Sequence, residues 1–313
     1  MSKIAFVFAG QGAQYVGMGK ELADNIASAS QVFKEADSVL GFEISKLCFE
    51  GTKEELDKTE NTQPAVLTTS IAALRALEEK GVRPSVTAGL SLGEYSALVC
   101  SGVLDFSAAV KLVRKRGRFM QEAIPVGVGT MAAVLGLGAE VVREVCKEAS
   151  SAGIIEPANF NCPGQIVIGG EIEAVKLASG LAQEKGGKVM PLSVSAPFHT
   201  SMLKPASEKL AEELEKIDLG EVKVPIITNV TASYVSDKDE IKALLKKQVM
   251  SSVLWEDTIR KMLDSGIDTF VELGPGKVLS GFIKKIDRKV TIVNIEDLKS
   301  LEKAVEILKG QER

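Results

Sequence analysis

The chain has 313 residues, of which 45% are hydrophobic and 26% charged, a balance that excludes a disordered segment and suits one large core or two domains. Its formal net charge of -4 argues against nonspecific nucleic-acid binding, which leaves a basic footprint, and no apolar run approaches the roughly 18 residues of a membrane span. Four cysteines without CxxC spacing and a single histidine leave a metal site almost without ligands and read as free thiols in a cytoplasmic protein.

In chain order, the apolar stretch 4–9 reads as a buried first strand and not as a signal peptide, because it runs straight into the polar loop Gly10-Gln11-Gly12-Ala13-Gln14 without a cleavage site. The pattern over 18–40 is helical. Thr52 with Glu55 forms a capping box opening a short helix, and a helix over 64–80 closes on Gly81. A strand follows at 85–88. The segment KLVRKRGR at 111–118 carries five basic residues, and a second basic group sits at Lys284, Lys285, Arg288 and Lys289. Each suits a solvated helix face.

Between 128 and 194 the pattern becomes strand (130–135), helix (139–149), strand (154–158), strand (165–169), helix (172–185), strand (188–193). The order β-α-β-β-α-β is the ferredoxin-like motif. Pro125, Gly127 and Gly129 before it and Pro197 after it mark short linkers. The expected organisation is a discontinuous large α/β domain of residues 1–125 and 196–313, with a mostly parallel sheet, and an inserted small domain of residues 126–195. After the insertion come a helix to Glu215, a strand at 225–228, helices on both sides of Ser251, strands at 269–272 and near Ile292, and a closing helix at 298–308.

The chemistry concentrates in Gly89-Leu90-Ser91-Leu92-Gly93, a G-x-S-x-G segment between a strand and a helical pattern. This is the setting of a nucleophile elbow, where glycines permit close approach of the chain and the serine hydroxyl is lifted to a helix N-terminus. A serine needs a positioned base. His199 is the only histidine, so a histidine base must be His199, in the loop that returns from the insertion. No acidic third member is identifiable from spacing. The loop Gly10-Gln11-Gly12-Ala13-Gln14-Tyr15 fails the dinucleotide pattern, since Tyr15 stands where the third glycine belongs; its alternative uses are a plain structural turn or backbone N–H groups offered to an oxyanion.

Over essentially its whole length the sequence resembles the malonyl-CoA:acyl carrier protein transacylases and the related acyltransferase domains of fatty acid and polyketide synthases. The resemblance rests on FAGQGAQYVGMG near the start, TQPA at 62–65, GLSLGEYSAL around Ser91, RGRFMQEA from Arg116, NFNCPGQIVIGG from Asn159 and PFH ending at His199. It implies an α/β-hydrolase-like large domain with a ferredoxin-like insertion, Ser91 as acylated nucleophile and His199 as its base. It further implies the backbone amides of Gln11 and Leu92 as oxyanion hole, the main-chain carbonyl of Gln248 as the group orienting the imidazole, and Arg116 as partner of the malonyl carboxylate. Phe198 matches the form associated with malonyl and not methylmalonyl. One departure is Leu90, where many relatives carry histidine, which leaves His199 without a rival.

The resemblance also implies malonyl-CoA as donor, the phosphopantetheine thiol of acyl carrier protein as acceptor, no permanently bound cofactor and no metal. The expected protein is a monomer of fatty acid synthesis that binds neither nucleic acid nor membrane. Three other readings share parts of the pattern. A serine esterase or thioesterase, or a trans-acting acyltransferase of a polyketide pathway, would keep the elbow and histidine, and the hydrolase would not need Arg116. A non-catalytic docking module would need neither Ser91 nor His199.

Overall fold

Strand β1 (Ile4–Phe8) is apolar throughout because both faces of its sheet are covered, as is usual for parallel strands. Ala5 and Val7 pack on one face with Trp255 and Phe270, while Phe6 and Phe8 pack on the other with Leu22, Leu67 and Leu98. The computed structural model describes residues 3–125, 127–194, 196–235 and 237–310. The remaining strands are β2 (Val86–Gly89), β3 (Gly129–Leu135), β4 (Ile155–Cys162), β5 (Gln165–Glu171), β6 (Lys188–Pro191), β7 (Ile226–Ile227), β8 (Tyr234–Val235), β9 (Thr269–Leu273) and β10 (Thr291–Ile295).

Six strands form the first sheet in the order β10-β9-β1-β2-β7-β8. Its neighbours are parallel except the edge pair β7/β8. The second sheet has the order β4-β5-β3-β6 and is antiparallel throughout. That is the ferredoxin-like arrangement, with the helices Ala139–Ala149 and Ile172–Glu184 on one face. Ala132 and Val134 point to those helices. Met131 and Ala133, one residue out of phase, join the main core, as the two-residue period of a strand requires. The chain is therefore an α/β-hydrolase-like body with a mostly parallel sheet and a ferredoxin-like unit facing it. The expected junctions at Val126 and Ser195 lie outside the described residues.

Several boundaries differ from expectation. The helical stretch read over 18–40 consists of two helices, Lys20–Asn25 and Ala27–Leu40, interrupted at Ile26 with φ -126 and ψ 118. Ile26 donates its N–H to Leu22 and accepts from Ser30, so it ends one helix and begins the next. A β-branched residue takes this extended conformation readily. The helix expected to begin at Pro64 spans Thr59–Glu78 with Pro64 inside it; the capping reading of Thr52 is observed, its Oγ1 accepting from Glu55 N at 3.3 Å. Strand β4 runs on to Cys162 through two register shifts because residues beyond the sheet pair elsewhere: Phe160 N–H donates to Val253 and Val253 N–H to Ala158. That pairing ties the small sheet to the segment that follows Gln248.

Candidate active site

Because β1 and β2 are adjacent and parallel, the loops at their C-terminal ends meet. These are the Gly10–Gln14 loop and the Ser91 turn. Contact is so close that a Cβ on Gly10 would stand 2.5 Å from the Leu90 carbonyl oxygen. Both glycines of the elbow are sterically required. A Cβ on Gly89 would meet the Gly93 carbonyl carbon at 1.9 Å, and one on Gly93 would meet the Phe8 carbonyl oxygen at 2.1 Å. We expect Gly93→Ala to lower unfolding free energy by ~3 kcal/mol, measured by denaturant titration, because the obstacle is backbone in a packed sheet.

Ser91 has φ 52 and His199 φ 61, left-handed conformations that cost a non-glycine residue about 1–3 kcal/mol and persist only where surrounding structure imposes them. At Ser91 the imposing groups are visible. Its N–H donates to Asn229 Oδ1 at 2.6 Å, its carbonyl accepts from Gln248 Nε2 at 3.0 Å, and Asn229 Nδ2 donates to the Gly89 carbonyl at 2.7 Å. Three hydrogen bonds from two residues, Asn229 and Gln248, thus hold the turn.

The hydroxyl of Ser91 lies 2.6 Å from His199 Nε2. On the other ring nitrogen, Nδ1 is 2.9 Å from the Gln248 carbonyl oxygen. A carbonyl only accepts, so Nδ1 carries the hydrogen and Nε2 is left free to take the serine proton. The imidazole is 4% exposed. Burial first, then the nearby Arg116 cation, pull His199 down to about 4, against hydrogen bonds to the Gln248 and Ser251 backbone. The imidazole is neutral at pH 7, and among the described residues it has no carboxylate partner.

Arg116, on the helix Phe106–Glu122, is 1% exposed. Its Nη2 donates to Ser91 Oγ at 3.1 Å and to Gln248 Oε1 at 3.0 Å, and its Nη1 to Gln63 Oε1 at 2.9 Å. Nε has no partner and no carboxylate lies within ion-pair distance among the described residues. Burial pulls the guanidinium below its ordinary value. A buried cation held only by neutral acceptors is poised for an anion.

The N–H groups of Gln11 and Leu92 donate to no carbonyl in the turns and loops among the described residues, and Leu92 follows Ser91 at the N-cap of the helix Gly93–Ser101. Gln11 borders the same cleft of about 600 Å³ as Ser91, Phe198 and His199. Its far wall comes from the small sheet, through Met131, Asn159 and Val167, and from Val278 and Phe282. Leu90 also faces the cleft, beside the nucleophile but apart from the proton path.

Of the residues singled out from the sequence, Ser91, His199, Arg116 and Gln248 form one hydrogen-bonded group, and Gln11 and Phe198 line the same cleft as Ser91. Within the first basic group the side chains diverge: Arg116 turns inward, Lys115 pairs with Glu213 at 2.6 Å, and Arg114 stacks over Phe42 at 4.2 Å. Sequence reasoning missed Asn229, Gln63, the side chain of Gln248 and Glu94. Gln63 and Glu94 stand inside recognisable motifs and were within reach, whereas nothing local marks Asn229. Glu94 is 1% exposed, and burial pushes its carboxyl up to about 7, against donors from Asn229 and Gln248 and the charge of Arg116. The cysteines offer no rival nucleophile: burial pushes Cys48, Cys100 and Cys146 up to about 12, far from the thiolate. Among the described residues no group of three His, Cys, Asp or Glu is placed to hold a metal, and no helix is long and apolar enough to cross a membrane.

The acyl transferase domain family model matches residues 5–303. The chain is 50% identical over 313 residues to the malonyl CoA-acyl carrier protein transacylase of Bacillus subtilis (strain 168), with 99% of each chain covered. It is 42% identical over 309 residues to that of Escherichia coli (strain K12), covering 98% of this chain and 100% of the other. The crystal structure of the transacylase from Clostridium perfringens superposes with TM-score 0.97 at 51% identity, over 99% of this chain and 98% of that one. A solved complex of a type II PKS acyl-carrier protein with its malonyl-transacylase matches with TM-score 0.95 at 43% identity, over 98% of this chain and 100% of that one. The chain belongs to the acyl transferase domain family, among the malonyl CoA-acyl carrier protein transacylases.

Proposed function

We propose that this chain moves a malonyl group from malonyl-CoA to the phosphopantetheine thiol of acyl carrier protein through an ester on Ser91. The observation that carries the reading is Arg116, a buried guanidinium with no carboxylate in ion-pair contact among the described residues, 3.1 Å from the Ser91 hydroxyl. A guanidinium grips a carboxylate through two parallel hydrogen bonds, which selects an acyl group with a free carboxylate at its far end.

In the first half-reaction His199 Nε2 takes the Ser91 proton as Oγ bonds to the thioester carbonyl carbon. The negative charge that develops on the carbonyl oxygen is met by the N–H groups of Gln11 and Leu92. As the C–S bond breaks, His199 returns the proton to the departing CoA sulfur. The second half-reaction reverses these steps: the pantetheine thiol gives its proton to His199, its sulfur attacks the ester, and the Ser91 oxygen leaves and is reprotonated. The Gln248 carbonyl keeps the imidazole oriented in both directions, in the role a carboxylate has in a triad. Coenzyme A and phosphopantetheine enter as parts of the substrates.

We read residues 1–125 and 196–313 as the catalytic body and 126–195 as the insertion that walls the cleft. The second basic group adjoins that cleft: Lys284 and Lys285 lie on the helix Val278–Ile286, whose Val278 and Phe282 line it. Carrier proteins are generally acidic, so this edge suits the acceptor. The reading extends to a cytoplasmic monomer serving fatty acid synthesis. A carrier of polyketide synthesis is the second reading, favoured by the likeness to the polyketide carrier complex.

The test is intact-mass measurement after mixing with malonyl-CoA and no acceptor. One malonyl increment discharged by added holo-carrier supports the transferase, and presenting fatty acid and polyketide carriers separately ranks the two pathways. Release of free malonate as fast as transfer supports a hydrolase. The pH dependence supplies a further check. His199 stays neutral down to about 4, so the acid limb of acyl-enzyme formation, followed by rapid quench, should fall near pH 4 and not near the ordinary histidine value of about 6.5. The same depressed group adds stability that is full above about pH 6.5 and lost as pH falls toward 4. Glu94 acts in the opposite sense, its contribution full below about 4.5 and lost as pH rises through about 7.

A further inference from the structure

The nucleophile and the guanidinium share one side-chain amide. Gln248 Nε2 donates to the Ser91 carbonyl at 3.0 Å and to Glu94 Oε2 at 2.9 Å, while its Oε1 accepts from Arg116 Nη2 at 3.0 Å. An amide that faces two acceptors with its NH2 group has one orientation available, and that orientation aims oxygen at Arg116. If the amide turned over, its NH2 group would confront the guanidinium, donor against donor. Glu94 is the side chain that determines the choice. Its Oε2 also accepts the N–H of Asn229 at 2.9 Å, the residue whose side chain clamps Ser91 N and Gly89 O. One buried carboxyl oxygen therefore joins both braces of the elbow.

We infer that Glu94 is a positioning residue for the dicarboxylic substrate: through the Gln248 amide it holds the Arg116 guanidinium where the carboxylate of the acyl group must dock. It touches neither the scissile carbonyl nor the proton path, so its influence falls on acyl selectivity more than on transfer as such. Sequence gives the same residue a second reason to be there, since it occupies the first turn of the helix Gly93–Ser101, where a negative side chain interacts favourably with the helix dipole. That dipole role alone would not discriminate between acyl groups. The inference rests on the malonyl-transfer reading and deepens it.

Two variants separate acceptor placement from charge. Glu94→Gln keeps an oxygen in place to accept from Asn229 and Gln248 and removes the charge. Glu94→Asp keeps the charge and withdraws the acceptor by one methylene. The readout is the rate of acyl-enzyme formation by intact mass with malonyl-CoA and with acetyl-CoA, which lacks the carboxylate, alongside thermal unfolding. Displacements of about 1 Å in a positioned group cost up to ~100-fold, so Glu94→Asp should lower the malonyl-to-acetyl ratio about tenfold or more, and Glu94→Gln should keep it within about threefold. A ratio unchanged in Glu94→Asp, or parallel loss of both substrates, would overturn the inference. So would a ratio lost in Glu94→Gln, which carries the test alone if the aspartate variant does not fold. Failure of the unmodified protein to take up malonyl at all would instead reject the transferase reading itself.

Discussion

Ser91→Ala should abolish the malonyl adduct and lower turnover by on the order of 10⁵–10⁶-fold, the scale seen when the nucleophile of a serine-histidine pair is removed. The reason lies in how little else is available to react. Burial pushes the cysteine thiols toward the protonated form, and among the described residues no other hydroxyl lies within 2.6 Å of the His199 imidazole. His199→Ala should cost a similar factor, and the double variant scarcely more than either alone, because nucleophile and base act as one unit. The fold should survive. Ser91 is clamped by its backbone N–H and carbonyl, which alanine retains, and Arg116 keeps Gln63 and Gln248 when the hydroxyl goes. Unfolding free energy within about 1 kcal/mol of the parent, with no adduct by intact mass, is the expected pair of results. A surviving adduct would move the chemistry to another residue.

Arg116→Ala should separate transferase from hydrolase. Removing one partner of a buried charge pair costs about 2–5 kcal/mol, so kcat/KM for malonyl-CoA should fall roughly 10²- to 10³-fold. Loading from acetyl-CoA should hold steady or rise, since the variant removes a buried cation that an uncharged acyl chain does not use. Arg116→Lys should recover little of the malonyl activity. An ammonium is a compact charge without the planar fork that reaches Gln63, Gln248 and the substrate carboxylate together. Equal effects on both acyl donors would show that Arg116 supports the site without reading the substrate, and the dicarboxylic specificity would then have to come from elsewhere in the cleft.

Much of this site was legible because its chemistry is local. The elbow needs glycines two residues on each side of Ser91, and the steric reason, a Cβ within 2.1 Å of backbone, is the same wherever such a turn occurs. A single histidine makes the base an arithmetic matter. The alternation of strands and helices followed from periodicity, including the change of pattern that marks the ferredoxin-like unit. Boundaries were less legible where long-range contacts override local preference. Ile26 interrupts a helix that its neighbours would continue, and Pro64 sits within a helix that it was expected to start.

Taken by itself, the sequence determined the fold class and singled out Ser91 and His199 as candidate nucleophile and base, because periodicity and short-range sterics are written in adjacent residues. Tertiary structure alone decided which polar groups share the interior. Asn229 and the side chain of Gln248 converge on Ser91 from separations of more than 130 residues, and no spacing rule announces them. It also decided the state of each charge. Arg116 belongs to a basic segment in which Lys115 pairs with Glu213 and Arg114 stacks over Phe42, and its burial against neutral amides sets it apart from them. The cost of an unpaired charge depends on what surrounds it, and the surroundings are assembled from strands and helices distant in the chain.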